Sequence, residues 1–300
     1  MIKNRGVILA TTAIAPAVWG STYLVTTELL PPERPLLAAV LRALPAGLLL
    51  IVIARRLPAG SWWWRSAILG TLNIGAFFAL LFIAAYRLPG GVAATVGAIQ
   101  PLLVGALAAW ILKERLRTGV VVGAAAGIAG VGLLVLRADA RLDALGVVAA
   151  VGGAAIMATG VILSKKWVSP APVIATTGWQ LTAGGLALVP IMLFAEGTPP
   201  ALTGVNLMGY AYLTLIGSAI AYVLWFRGIK ALSPTEVTFL GFLSPLTATV
   251  AGWLVLDEHL TAWQFLGAAI VLAAITIPSL SHARRAPHPI ERPLVTNRSE

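Results

Sequence analysis

Ten apolar segments of about 20 residues follow one another along the chain, and they restrict its fold more than any other feature. They lie at residues 7–27, 36–54, 66–86, 92–112, 118–136, 145–164, 173–194, 208–227, 237–256 and 264–280. A helix of about 20 apolar residues crosses the roughly 30 Å hydrocarbon core of a bilayer. The first segment continues past Trp19 to Val25, beyond the usual length of a signal peptide. We therefore expect an all-α polytopic membrane protein with ten transmembrane helices.

The composition favours lipid over water around most of the surface. The 300 residues are 59% hydrophobic and 11% charged, whereas soluble proteins carry about 25% charged residues. The net charge of +10 is spread in short groups between the apolar segments, so we expect no nucleic-acid partner. The chain has no cysteine and none of the common phosphate-binding, metalloprotease or nucleophile-elbow motifs. We therefore expect no enzymatic activity, no cofactor and no metal ion.

One motif occurs twice, and its two copies align without a gap. Residues 100–116 read QPLLVGALAAWILKERL, and residues 244–260 read SPLTATVAGWLVLDEHL, so that Pro101 corresponds to Pro245 and Glu114 to Glu258. Each copy belongs to a set of five segments, an odd number, so the second set enters the membrane in the opposite direction. Inverted repeats are typical of secondary transporters, which bind substrate near the midplane between the halves. We predict two inverted five-helix repeats around a central cavity, at residues 1–139 and 140–282, followed by a flexible cytoplasmic tail at residues 283–300.

The distribution of Lys and Arg predicts which side each loop faces. Sixteen of these residues lie on the side of the N-terminus, and four lie on the other side: Arg34, Arg87, Arg137 and Arg141. Because cytoplasmic loops are enriched in Lys and Arg, we expect both termini in the cytoplasm. This placement also explains why the sequence KER of the first copy becomes DEH in the second, which faces the outside.

Aromatic and amide side chains inside the segments predict a substrate-binding cavity. An amide without a partner avoids lipid and faces the bundle interior or a water-filled cavity, and nearby aromatic rings suit a neutral or zwitterionic organic molecule. Hydrogen bonding between helices is the alternative for the amides, and a lipid-facing position is the alternative for the rings. The predicted cavity residues are Trp19, Tyr23, Asn73, Phe77, Phe78, Phe82, Gln100, Trp179, Gln180 and Tyr222. We expect segments 1, 3, 4, 6, 7, 8 and 9 to line the cavity and segments 5 and 10 to be peripheral.

Charged residues inside the segments are rare. Arg42 is the basic residue that lies deep within a segment, and its partner can be a backbone carbonyl, a helix C-terminus or a substrate carboxylate. No segment has Asp or Glu near its centre, and the three histidines lie outside the segments. Proton-coupled transporters commonly titrate such a group inside the membrane. We therefore expect transport without an obligatory proton.

Proline and glycine lie at matching positions of segments 4 and 9. Pro101 and Pro245 each remove one helical hydrogen bond and predict a bend, and Gly97 and Gly241, four residues earlier, leave room for it. The bends can be static kinks or a pair of gating pivots.

Segment 5 carries a stripe of small residues. Glycine recurs at positions 119, 123 and 127, which lets another helix approach closely. The stripe can join the two halves of a monomer or form a homodimer.

The repeats, the Glu-centred turns, WGSTYL at residues 19–24 and WQLTAGGLALV at residues 179–189 resemble EamA-type members of the drug/metabolite transporter superfamily. The similarity covers roughly residues 6–280 and is greatest to bacterial exporters of amino acids, aromatic ones in particular. The resemblance implies a ten-helix basket that exports small organic molecules across the inner membrane by alternating access, without nucleotide hydrolysis. A channel or facilitator-type pore, and an exporter of drugs or other metabolites with the same fold, remain the alternatives.

Overall fold

The computed structural model describes residues 5–88, 90–115, 118–135, 143–255 and 260–283, and the regular structure in these ranges is helical. The elements are α1 (Arg5–Leu29), α2 (Pro35–Ala54), α3 (Trp62–Gly70), the π-helical turn π1 (Thr71–Gly75), α4 (Ala76–Arg87), α5 (Gly90–Gly97), α6 (Gln100–Ile111), α7 (Thr118–Val135), α8 (Ala144–Lys166), α9 (Val173–Glu196), α10 (Gly204–Thr214), the π-helical turn π2 (Leu215–Ile220), α11 (Ala221–Ala231), α12 (Pro234–Leu240), α13 (Leu243–Val255) and α14 (Ala262–Ala283). Each of the ten predicted segments overlaps at least one of these helices.

Most of these segments have the length and composition of membrane spans. Eight helical segments of the described chain are long and apolar enough to cross a membrane, and residues 262–276 form a shorter apolar helix. The first helix has 25 residues, which is about 37 Å at a rise of about 1.5 Å per residue. The predicted all-helical polytopic membrane protein is therefore confirmed.

Helix α2 of the first repeat and helix α9 of the second repeat lie side by side and run antiparallel. Near the start of α2, the backbone amides of Leu36 and Leu37 donate hydrogen bonds to the Glu196 carboxylate at the end of α9, at 2.5 and 3.0 Å. Beyond the other end of α2, the carbonyl of Arg56 accepts a hydrogen bond from Trp179 Nε1 at 2.8 Å, near the start of α9. Residue numbers thus rise along one helix as they fall along the other.

The contact between α2 and α9 has two-fold symmetry. A Cβ atom on Gly47 would collide with the backbone of Thr182, and one on Gly185 would lie 2.8 Å from Leu44 Cβ. Leu44 and Gly47 are separated along α2 by the same interval as Thr182 and Gly185 along α9. Each contact is therefore the image of the other, as in an isologous interface. Since the two helices are antiparallel, this two-fold turns one repeat upside down relative to the other, as the sequence predicted.

The third and eighth predicted segments each contain a π-helical turn at the same place in the repeat. The alignment that matches Pro101 with Pro245 also matches Thr71, the first residue of π1, with Leu215, the first residue of π2. Such turns are rare and frequently occur at functional sites. Their matching positions identify where both repeats depart from regular helix.

The fourth and ninth predicted segments are each divided into two helices. The break between α5 and α6 is closed by a hydrogen bond from Ile99 N to Val96 O at 3.2 Å, and the break between α12 and α13 by one from Phe242 N to Phe239 O at 3.1 Å. Pro101 therefore lies in the first turn of α6, where a missing amide hydrogen disrupts no helical bond. The predicted mid-helix bends are breaks between half-helices.

Glycine has a steric role at only one of these breaks. A Cβ atom on Gly241 would lie 2.9 Å from Thr238 O, whereas one on Gly97 would meet no atom within 4 Å. The close contact at Gly241 is thus with the preceding turn and not with Pro245, and the role of both glycines in bending stays a prediction.

Helices α7 and α14 pack against each other, and their other partners include α5, α12 and α13. A Cβ atom on Gly267 would lie 2.7 Å from Gly130 O, and one on Gly127 would collide with the ring of Phe242. The glycine face of segment 5 thus makes contacts within the chain.

Candidate functional site

The first polar centre between the repeats is the side chain of Arg42. It is 5% exposed, and its Nη2 and Nε atoms donate hydrogen bonds to Gly217 O at 3.2 Å and to Ser218 Oγ at 3.3 Å, both in π2. Its guanidinium carbon lies 4.9 Å from the centroid of the Phe78 ring. No described carboxylate forms a salt bridge with it. Arg42 is therefore a buried cation held by neutral groups, an arrangement that is costly unless further partners complete it.

Aromatic rings from both repeats form a cluster beside this cation. The Trp19 ring centroid lies 4.9 Å from that of Tyr222 and 5.1 Å from that of Trp225. Trp19 Nε1 donates a hydrogen bond at 3.0 Å to Gly217 O, the same oxygen that accepts from Arg42. The aromatic cluster, as we call it, consists of Trp19, Phe77, Phe78, Tyr222, Trp225 and Phe226.

The second polar centre is Asn73 in π1, which is fully buried. Its Nδ2 donates hydrogen bonds to Gln180 Oε1 at 2.9 Å and to Ser164 Oγ at 3.1 Å. Its Oδ1 has no hydrogen-bond partner, and it faces Gly160, where a Cβ atom would lie 2.8 Å from Asn73 Cγ and closer still to Oδ1. This centre joins π1 to α8 and α9, which is the helix-to-helix role that sequence reasoning left open for the amides.

A cavity of about 240 Å³ opens next to the second centre. Gln180 and Phe226 line its buried part, and Lys230 lines its exposed part. The Phe226 ring centroid lies 5.8 Å from that of Tyr222, so the aromatic cluster separates this cavity, the vestibule, from Arg42. Ligand pockets usually measure about 300–1,000 Å³. The vestibule is therefore smaller than a usual ligand pocket.

Most of the predicted cavity residues meet at these two centres. Those that do are Trp19, Phe77, Phe78 and Tyr222 in the aromatic cluster and Asn73 and Gln180 in the amide pair. Arg42, for which the sequence predicts a structural or a carboxylate-binding role, lies against Phe78.

The other predicted cavity residues lie elsewhere. The Trp179 ring packs 6.3 Å from that of Trp62 and its indole nitrogen bonds to the Arg56 carbonyl, away from the cluster. Gln100 begins α6 at the helix break. The side chains of Tyr23 and Phe82 lie outside the described residues.

Sequence reasoning missed several residues of the site. Ser218 and Trp225 lie four residues before and three residues after Tyr222, so helical spacing places all three on one face. That signal identifies Trp225 as a neighbour of the predicted Tyr222. The carbonyl of Gly217 has no signal in the sequence, because any residue carries one.

An all-helical membrane protein of two inverted repeats, with buried polar and aromatic groups between them, has the architecture of a secondary transporter. The chain matches the EamA-like transporter family twice, at residues 4–136 and 144–280, and it belongs to that family. It is therefore a membrane transporter of the drug/metabolite superfamily and not an enzyme.

Individual relatives cover nearly the whole chain. Protein PecM of Dickeya dadantii is 45% identical over 283 residues, which are 93% of this chain and 95% of PecM. The uncharacterized inner membrane transporter YedA of Escherichia coli is 26% identical over 289 residues and 94% of both chains. A known crystal structure superposes with a TM-score of 0.79 at 21% identity, covering 94% of this chain and 99% of the other, and shares its fold.

Proposed function

We propose that this transporter exports neutral amino acids, in particular aromatic ones, and similar small organic metabolites across the inner membrane of a bacterium. The aromatic cluster supports this proposal because it combines rings of both repeats and contacts a buried cation. Aromatic rings attract one another in offset and edge-to-face arrangements at centroid distances of about 4.5–7 Å. A substrate ring that enters between Trp19 and Tyr222 replaces their mutual contact at 4.9 Å with similar contacts of its own.

The arrangement of the helices supports alternating access. The vestibule opens near Lys230, reaches Gln180 and ends at Phe226. A molecule in the vestibule can therefore reach the aromatic cluster only after rings of the cluster move. The matching breaks before Pro101 and Pro245 give each repeat one flexible point. Inverted repeats place such points on opposite sides of the membrane, and we propose that each serves one gate.

Ionic contacts hold the helix ends together on the side that carries most Lys and Arg, which we place in the cytoplasm. Arg5 at the start of α1 forms a salt bridge with Glu236 in the first turn of α12. Lys165 at the end of α8 donates hydrogen bonds to the carbonyls of Ile229 and Lys230 at 3.2 Å and of Leu232 at 2.8 Å, where α11 ends. We propose that these helix ends form the cytoplasmic gate and that one chain is sufficient for transport.

The direct test is counterflow in liposomes that contain the purified protein. Liposomes loaded with unlabelled tryptophan, phenylalanine, leucine or a non-amino-acid drug are diluted into labelled tryptophan, and uptake is followed over time. We expect saturable uptake that loaded aromatic amino acids stimulate. Equal flux without saturation would indicate a channel, and stimulation by the drug alone would indicate a drug exporter; either result would overturn the proposal.

A further inference from the structure

We infer that Arg42 and Trp225 form a carboxylate-binding subsite, so that the transporter recognises its substrate by a carboxylate group and not by an amine. This inference rests on the proposed function, since it assigns the chemistry by which the aromatic cluster selects its substrate.

The hydrogen-bonding capacity of Arg42 exceeds what the protein supplies. A guanidinium carries five N–H donors in a planar fork that matches a carboxylate. In this structure two of its nitrogen atoms donate to one carbonyl and one hydroxyl, and both acceptors are neutral. The subsite therefore has a net positive charge and N–H groups to offer to an anion.

Trp225 provides a second, independent indication. Its side chain is 2% exposed and its Nε1 has no hydrogen-bond partner. An unpaired donor in a buried position is unfavourable and calls for an explanation. The Trp225 ring packs against Trp19, whose own Nε1 donates to the carbonyl that Arg42 also uses. The unpaired N–H thus belongs to the same cluster as the unpaired cation.

Arg42 and Trp225 both offer N–H donors, and this favours a carboxylate over an ammonium group as their ligand. The buried acceptor Asn73 Oδ1, which also lacks a partner, lies at the second polar centre against Gly160. An ionised carboxylate accepts up to about four hydrogen bonds and donates none. An ammonium group needs acceptors and is repelled by a guanidinium. The buried acidic side chain among the described residues, Glu236, lies at the first turn of α12, paired with Arg5 and hydrogen-bonded to Ser233. It therefore gives an amine no counter-charge within the cluster.

The experiment compares ligands that differ only in the group that Arg42 would bind. Isothermal titration calorimetry on the full-length protein in detergent micelles uses 3-phenylpropionate, its neutral amide 3-phenylpropionamide, and phenethylamine. For the unaltered protein we expect the acid to bind at least about tenfold more tightly than the amide, which is about 1.4 kcal/mol. Equal affinities for acid and amide, or tighter binding of the amine, would overturn the inference.

Variants separate recognition from folding. Arg42→Gln should remove the preference for the acid while leaving the affinity for the amide within about twofold; retention of the preference would exclude Arg42 as the anchor. Trp225→Phe keeps an aromatic ring and removes the N–H, and it should weaken binding of the acid several-fold and that of the amide less, because a hydrogen bond to an ionised acceptor is the stronger one. Its matched control is Trp179→Phe, whose N–H bonds to Arg56 away from the cluster and which should leave both affinities unchanged. If Arg42→Gln does not fold, the Trp225→Phe result decides, and equal binding of the acid before and after that change excludes the subsite.

Failure of this inference differs from failure of the proposed function. If tryptophan shows saturable counterflow but acid and amide bind equally, the transporter exports amino acids without a carboxylate subsite. If no amino acid is transported but the acid still binds tenfold more tightly than the amide, the subsite is correct and the substrate is another aromatic carboxylate.

Discussion

Gly160 packs tightly on Asn73. We therefore predict that Gly160→Ala destabilises the protein when Asn73 is present and stabilises it when Asn73 is replaced by alanine. A methyl group on Gly160 cannot coexist with the present position of the Asn73 side chain, since its three nearest atoms all belong to Asn73. Gly160→Ala must therefore displace the amide and break its hydrogen bonds to Gln180 and Ser164. In the background Asn73→Ala, those atoms are gone and the added methyl group has space.

The magnitude follows from the two bonds and from helix propensity. Hydrogen bonds between side chains of membrane helices contribute about 0.6 kcal/mol on average and up to about 1.7 kcal/mol, so two of them contribute about 1–3 kcal/mol. Replacing glycine by alanine inside a helix gains about 0.5–1 kcal/mol. Gly160→Ala should therefore lower the free energy of unfolding by about 0.5–2 kcal/mol on its own and raise it by about 0.5–1 kcal/mol in the Asn73→Ala background.

The assay is equilibrium unfolding in mixed micelles with increasing sodium dodecyl sulfate, measured for the two single variants and the double variant. Gly152→Ala on the same helix is the control, because the nearest atom to its methyl group, Leu80 Cδ1, would be at 3.5 Å. It should be neutral or mildly stabilising in both backgrounds. If Gly160→Ala destabilises the protein equally with and without Asn73, the crowding lies elsewhere and the reasoning is refuted.

Three further predictions concern the gates and the coupling. Pro101→Ala and Pro245→Ala each remove a proline ring and add an amide N–H beside a helix break, so each should let the helix continue across the break and stiffen it. Each should reduce counterflow about tenfold by impairing one gate, the two gates lying on opposite sides of the membrane, while binding of tryptophan is retained; unchanged rates in both variants would mean static breaks. Since no segment has an acidic residue near its centre, a proton ionophore at equal pH should leave counterflow unchanged, and its abolition would indicate obligatory proton coupling. Glu236→Gln removes the charge-assisted contact with Arg5. This change should lower the free energy of unfolding by about 1–2 kcal/mol. A loss in the Arg5→Gln, Glu236→Gln double variant equal to the sum of the single losses would show that the pair is not coupled.

Hydropathy and the internal repeat predict the helices and their inversion well, for a physical reason. A bilayer requires each span to form its backbone hydrogen bonds internally and to be apolar over a fixed length. The hydropathy of the residues themselves therefore reveals each span. An odd number of spans in each repeat then inverts the second copy, as the two antiparallel contacts of Gly47 with Thr182 and of Gly185 with Leu44 show.

The sequence does not show where the π-helical turns occur or which residues form the site. Both depend on how the helices are rotated against their neighbours. Trp179 and Gln180 are neighbours in sequence, and both were predicted to line the cavity. Adjacent helical residues do not share a face, and in the structure Gln180 bonds to Asn73 while Trp179 packs on Trp62. The face that each residue takes is set by the contact between helices, and only the structure supplies that contact.

The two-fold that relates the repeats does not relate the chemistry of their centres. In the register that matches Leu44 of α2 with Thr182 of α9, Arg42 corresponds to Gln180. In the register that matches the first residues of π1 and π2, Asn73 corresponds to Gly217. One centre is thus an amide paired with an amide, and the other is a cation bonded to a bare backbone carbonyl.

An amino acid has no two-fold symmetry, so a site near the axis can hold it in one orientation only if the two centres differ. Under the proposed function, the matching breaks serve the two gates in the same way, and we propose that the difference between Arg42 and Gln180 distinguishes the two ends of the substrate. Arg42→Gln makes both centres amides, and for this reason it should remove the preference for a carboxylate without changing the symmetry of the gates.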